Sequence, residues 1–194
     1  DFIVNVVLDE HKHICHCVAG HYRAAHRKGC DLLDKLYRIE IPQKADVVIV
    51  SSGGYPKDIN LYQAQKALDN ASHAVKKGGT ILWIASAAEG LGEKHFEDWM
   101  VNHAHPSEMI DHIQREFVLG GHKAAAIALV MEKAEIILIT NLNQDLVKKI
   151  HLHAASNAQK ALDDLLIKYG NDASVLAMPF GGATLPIVLN KQEC

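Results

Sequence analysis

The chain has 194 residues, 48% hydrophobic and 22% charged, with a formal net charge of −3. That is the composition of a globular protein with room for one core, or for one core and part of a second. It excludes the basic surface that a nucleic-acid partner needs, and no apolar run approaches the about 18 residues of a membrane span.

Residues 1–8 lack a Met, a basic start and a cleavage site. They read as a cut edge opening straight into a strand, not as a signal peptide. Residues 2–8 and 13–18 are β-branched and apolar around the turn 9–12, which predicts a hairpin. From His21 to about Tyr37 the pattern turns helical, with Ala24, Ala25, Leu32, Leu33 and Leu36 on one side. Residues 38–41 add a short strand before Pro42. Residues 45–50 form a buried-strand run, followed by the Gly-rich loop 51–56 and a helix from about Asn60 to Val75, which Lys77-Gly-Gly79 ends. A second buried strand covers 80–85, and short helices follow near 93–100, 106–116 and 121–132. Residues 135–139 form a third strand. A helix near 143–150 leads to one at 157–169, with Ser156 as N-cap, Gln159 three residues on, and Gly170 just past its end. Residues 174–178 make a fourth strand, and 184–189 a last one after a Gly/Pro turn.

Apolar strands alternating with helices predict a three-layer α/β/α fold on a mostly parallel sheet. The final strand has no following helix. One consistent reading joins residues 179–194 with 1–41 as a separate β-rich remnant and leaves roughly 44–172 as the α/β domain. The four cysteines are Cys15, Cys17, Cys30 and Cys194. Cys15 and Cys17, two apart on a strand, point to opposite faces and are poorly placed to bridge, which suits a reduced, cytoplasmic setting.

The most informative segment runs from Ser51 to Lys66. It starts at the carboxyl end of a buried strand, where open α/β sheets bind their ligands. Gly53 and Gly54 let backbone N–H groups approach a ligand, and the next helix N-terminus favours an anion. Leu61, Ala64, Leu68, Ala71 and Val75 form the apolar stripe of that helix. Tyr62, Gln63 and Lys66 lie off it, and Gln63 and Lys66 are neighbours one turn apart. An amide beside an ammonium suits a carboxylate or phosphate. The plain alternative is that Gln63 completes a capping box with Asn60 while Lys66 is merely solvated.

Glu89-Gly-Leu-Gly-Glu93 is either a second ligand loop at the same edge or a plain turn, and it is no complete GxGxxG. His11, His13, His16, Cys15 and Cys17 look metal-like, but zinc spacings such as C-x2-C are missing, so surface histidines are expected and no metal site. The pairs His103/His105 and His151/His153 carry no more than that. His122 and Lys123 open an Ala-rich helix, where His122 is either a neutral hydrogen-bond donor or a solvated terminal residue.

Residues 1–8, Val18 to Gly20 with Ala25-His26, Gly53-Gly-Tyr-Pro-Lys-Asp-Ile-Asn60 with Leu61 to Lys66, Gly78-Gly79, Glu89 to Gly92, and Met178-Pro179 with Thr184 to Pro186 recur in this order. Together they resemble the nickel-pincer lactate racemase family, the 2-hydroxyacid racemases, over nearly the whole chain. The Gly-Gly-Tyr-Pro-x-Asp-Ile-Asn segment is the specific part. The resemblance implies residues 1–43 as the end of the cofactor-bearing N-terminal domain, 44–172 as the C-terminal α/β domain, and 173–194 as a return segment packing on the first. It implies Lys66 and Gln63 as catalytic residues, with Tyr62, Gly53, Gly54, Tyr55 and His122 lining substrate and cofactor. The nickel-pincer nucleotide, its lysine, the nickel-ligating histidine and the acid–base histidines would lie upstream of Asp1, so this chain alone binds no cofactor and is inactive. The implied partners are a small 2-hydroxyacid and the upstream domain, with no nucleic acid and no membrane. In the implied reaction a histidine takes the hydroxyl proton, the α-hydrogen leaves as hydride, and a planar ketoacid receives it back on either face. His122 stands where lactate racemase has a Trp, so the substrate differs from lactate if that position shapes the pocket. Two rivals stay open: a Rossmann-like nucleotide-dependent enzyme, against which the missing GxGxxG speaks, and a non-catalytic ligand-binding module at the same sheet edge.

Overall fold

A computed structural model describes residues 1–9 and 11–189. Glu10 and residues 190–194, Cys194 among them, lie outside the described residues. The chain divides into two compact units, Asp1–Glu40 and Ile41–Cys194.

In the smaller unit β1 (Phe2–Leu8) pairs antiparallel with β2 (Ile14–His21), Val6 opposite Cys17. The Asp9 carboxylate holds the turn by accepting the N–H groups of His11 and His13, each at 2.8 Å. Helix α1 (Tyr22–Tyr37) packs on the hairpin through Ala25 and Gly29. Cys15, Cys17 and Cys30 are free thiols. Strand β3 covers Arg38–Ile41.

The larger unit is built on five parallel strands: β4 (Ala45–Ser51), β5 (Val75–Ile84), β6 (Glu135–Ile139), β7 (His153–Ala155) and β8 (Val175–Met178). Their order is β7-β6-β5-β4-β8. The pleat sorts the β4 side chains. Val48 and Val50 face the large core shared with α2 (Leu61–Ser72), α3 (Lys94–Asn102), α4 (Pro106–Arg115) and α5 (Gly121–Met131). Val47 and Ile49 face the other way, where Ala161 and Leu165 of α7 (Ala158–Tyr169) cover the sheet. Helix α6 (Gln144–Lys149) adds Val147 to the larger core. The chain then crosses from β7 through α7 to β8, on the far side of β4, so the strand order reverses there. A 3-10 turn (Gly181–Ala183) precedes β9 (Leu185–Val188), and the Leu189 N–H donates to the Ile41 carbonyl at 3.0 Å. No helix among the described residues is long and apolar enough to cross a membrane.

Four expectations shift. Helix α2 stops at Ser72 and β5 begins at Val75, because Gly78, at φ 80°, takes up a bulge that lets Ala45 pair with Val75 and Val47 with Thr80. Gly79 tolerates no side chain, since a Cβ there would sit 2.7 Å from the Asp46 carbonyl oxygen. The cap of α7 is Asn157, not Ser156, its side chain accepting the Lys160 N–H at 2.9 Å. Strand β7, three residues long, carries too little alternation to be read from sequence. Finally β8 lies inside the parallel sheet, so the α/β domain extends past residue 172 to Met178; backbone pairing with β4 decides this.

Candidate functional site

The loops after β4, β5 and β8 meet at the carboxyl edge of the sheet, beside the reversal of strand order between β4 and β8. In the first loop Gly53 and Gly54 adopt φ 92° and 73°, which favour glycine, and the Gly53 N–H donates to Ser51 Oγ at 3.1 Å. Beneath it, Ser52 is buried and accepts from Trp83 Nε1 at 3.0 Å. Tyr55 is 82% exposed and precedes a cis peptide to Pro56. Asp58 ties this loop to the next: its buried carboxylate accepts the Ser86 N–H at 3.0 Å, and its carbonyl accepts the Ala87 N–H at 2.9 Å.

The N-terminus of α2 is already occupied. The N–H groups of Leu61 and Tyr62 donate to the Gly90 and Leu91 carbonyls at 3.1 and 3.0 Å, and the Gln63 N–H donates to Asn60 Oδ1 at 2.9 Å. The segment 89–93 therefore acts as a structural clamp on α2. Its closeness requires glycine, because a Cβ on Gly92, at φ 99°, would lie 2.6 Å from Asn60 Cγ. With its first donors taken, the helix end offers no backbone anion site; that expectation is corrected, and charge at this edge comes from side chains.

Those side chains lie along α2 and α5. Gln63 and Lys66 are exposed, one turn apart and off the buried stripe of Leu61, Ala64, Leu68 and Ala71. Lys66 Nζ donates to Asn70 Oδ1 at 3.0 Å and stands 3.8 Å from Asp69, so it leans toward the far half of the helix and makes no bond to the loop 51–56. The link to the edge runs through Asn70. Only 4% exposed, it donates from Nδ2 to the Gly181 carbonyl at 2.7 Å. Gly181 fits only as glycine, since a Cβ would meet Val50 Cγ2 at 2.2 Å, and the neighbouring Phe180 ring reaches the Gly53 loop.

Tyr62 sets its ring edge against Phe96, centroids 5.7 Å apart, and Lys123 Nζ lies 4.0 Å over the ring while donating to the Tyr62 carbonyl at 2.9 Å. Burial, then the nearby Lys66 charge, depresses the Lys123 pKa below the ordinary lysine value. His122, next along α5, stacks on Phe117 at 5.6 Å, and its Nδ1 accepts the Gly120 N–H at 3.2 Å, which leaves Nε2 to carry the proton of the neutral ring. Glu93 caps α3 through the Phe96 N–H at 2.8 Å. Burial opposes its charge, but the N–H groups of Phe96 and His95, with His95 and His122 nearby, hold its pKa below the usual carboxylate range. Among the described residues neither His122 nor Tyr55 shares a bond or ring contact with Gln63 or Lys66.

Sequence reasoning gave Lys123 no role beyond opening α5 and passed over Asn70 and Phe180. The available signal was a polar Asn70 four residues after Lys66, next to the Ala and Leu residues of the buried stripe. Gln63, Lys66, Lys123 and Tyr62 offer an amide, ammonium groups and a phenol. This set suits a carboxylate or a phosphate. Among the described residues no group of three or more His, Cys, Asp or Glu is placed to hold a metal ion, the histidines of the first hairpin included.

Residues 41–185 match the family model described as the lactate racemase C-terminal domain. A lactate racemase of Lactiplantibacillus plantarum is 32% identical over 185 residues, covering 93% of this chain and 43% of that protein. One from Thermoanaerobacterium thermosaccharolyticum is 31% identical over the same shares. The chain thus spans less than half the length of the curated relatives it matches. The solved lactate racemase apoprotein from Thermoanaerobacterium thermosaccharolyticum superposes with a TM-score of 0.83 at 30% identity, over 97% of this chain and 46% of that one. A Thermotoga maritima protein, 15% identical with a TM-score of 0.65 over 97% of this chain and 49% of its own, shares the fold.

Proposed function

This chain belongs to the lactate racemase C-terminal domain family, and we propose that it forms one wall of the active site of a 2-hydroxyacid racemase. The observation that carries the proposal is the exposed pair Gln63 and Lys66. They stand one turn apart on α2, within the matched residues and at the carboxyl edge of the sheet.

A racemase has to hold two enantiomers equally well while one carbon inverts. The group that stays put in both is the carboxylate, so a fixed cation for it is the first requirement. Lys66 supplies that cation and Gln63 a second donor. The present partners of Lys66 release it cheaply, because its side chain is 59% exposed and the Asp69 pair is long; such pairs are worth about 0–1 kcal/mol. Tyr62, held by Phe96 and Lys123, gives the wall a rigid aromatic surface, and Gly53, Gly54 and Tyr55 form its exposed rim. His122, whose Nδ1 is engaged with Gly120, presents Nε2–H as a donor toward a substrate oxygen.

The family resemblance implies a nickel-pincer nucleotide that, when bound, accepts and returns the substrate's α-hydrogen. The ammonium and amide groups of this wall do not fit as ligands of nickel, and among the described residues its one imidazole, His122, belongs to no group of three or more metal-ligating side chains; Lys66 and Gln63 fit the anionic groups of a substrate or cofactor. The cofactor and the acid–base groups then belong to a preceding domain, which is the proposed partner of this wall. The reading is tested by chiral chromatography of L-lactate and of bulkier 2-hydroxyacids incubated with the cofactor-loaded full-length protein. Formation of the opposite enantiomer is expected; none from any 2-hydroxyacid refutes the reading.

A further inference from the structure

We propose that Lys123 is the second cation of this anion site, acting with Lys66 where α5 packs on α2 to grip a single oxyanion, a carboxylate or a phosphate. The inference rests on the reading of Lys66 given above.

The position of Lys123 is set by packing. Gly120 and Gly121 start α5 against α3 with no space for side chains: a Cβ on Gly120 would lie 1.7 Å from Glu93 Oε2, and one on Gly121 2.7 Å from Trp99. The helix start is therefore fixed, and Lys123 emerges two residues later over Tyr62. Its ammonium has three donors. One goes to the Tyr62 carbonyl at 2.9 Å and the charge rests 4.0 Å above the Tyr62 ring. No carboxylate among the described residues pairs with it.

A half-buried cation that no carboxylate among the described residues pairs with, resting on Tyr62 of the helix that also carries Lys66, is a costly arrangement for a fold. The carbonyl and the ring compensate part of the charge, and the depressed pKa reports the remainder. An anion between Lys66 and Lys123 removes both penalties, since it adds opposite charge where the two ammonium groups repel. The carbonyl and the aromatic face also keep Lys123 in one rotamer, so its ordering is already met before the ligand arrives.

The test is competitive acetylation of the purified protein with acetic anhydride, each lysine followed by peptide mass spectrometry. L-lactate supplies the carboxylate and inorganic phosphate the phosphate. With the bound anion at about ten times its Kd, labelling of both Lys66 and Lys123 should slow about tenfold, because only the free fraction reacts. Protection by lactate alone assigns the site to a substrate carboxylate, and protection by phosphate alone assigns it to a nucleotide phosphate; either supports the proposal. In Lys123→Met the protection of Lys66 should be lost at the same anion concentration, and in Lys123→Arg it should persist. Undiminished protection of Lys66 in Lys123→Met overturns the proposal and leaves Lys123 as a tether for Tyr62. Should Lys123→Met fail to fold, an unprotected Lys123 beside a protected Lys66 in the wild type overturns it equally. If neither lysine is protected in the wild type, the Lys66 reading itself falls, which separates the two failures.

Discussion

Asp58 is the joint on which the site's two loops depend, and Asp58→Ala should loosen them measurably. Asp58 is 9% exposed, and its carboxylate accepts the Ser86 N–H at 3.0 Å. Removing it deletes a charge-assisted bond and leaves a half-buried N–H unmatched. Such losses cost about 1.5–3 kcal/mol. For a unit of this size each kcal/mol moves the melting temperature by about 2–4 °C, so a drop of roughly 3–12 °C is expected. Asp58→Asn keeps an acceptor oxygen of the same shape and should recover at least half of that drop. The assay is a thermal melt by circular dichroism on the three proteins at one pH. An Asp58→Ala melt within about 1 °C of wild type refutes the claim that this carboxylate holds the two loops together.

Gly92→Ala should cost about 1–3 kcal/mol, because the new Cβ meets Asn60 at 2.6 Å from a left-handed backbone, whereas Asn60→Ala should cost only about 1 kcal/mol; urea unfolding of both compares them. Asp46 is held well below the usual aspartate range, first by the Ser174 hydroxyl at 2.6 Å and then by Lys76. A carboxyl depressed in the folded state adds stability above its unfolded pKa of about 4 and loses it as pH falls further, so the deficit of Ser174→Ala should be full at pH 7 and shrink below about pH 4 in melts taken across that range. The 194-residue chain by itself should give no enantiomer conversion of lactate in the chiral assay, and any turnover contradicts the placing of the acid–base groups upstream.

The parallel sheet was legible because β4, β5 and β6 are unbroken apolar runs separated by amphipathic helices, a pattern that only burial on both faces explains. The helices near Asn60 and Ala158 were legible from their apolar stripes, though the cap of the second was expected one residue early, at Ser156. Short β7 escaped, and β8 was read as a fourth strand although the implied boundary at 172 left it outside the domain whose sheet it joins. Gln63 and Lys66 drew notice from their one-turn spacing off the apolar stripe, and only the family resemblance implied a catalytic role for them. Lys123 drew none: its role comes from a carbonyl and a ring 61 residues earlier on α2, a contact of packing with no local signature. The clamp at 89–93 was hidden for the same reason, as its work is done by backbone carbonyls whose partners no side-chain pattern reveals.

The central claim, that Lys66 holds an anion of the reaction, is tested most directly by kcat/KM for 2-hydroxyacid racemisation in cofactor-loaded full-length protein carrying Lys66→Ala. The account predicts a fall of roughly 30- to 1000-fold, the equivalent of about 2–4 kcal/mol of transition-state binding, with stability changed by about 0.5 kcal/mol or less. Wild-type kcat/KM in that variant contradicts it and returns Lys66 to the solvated surface of α2.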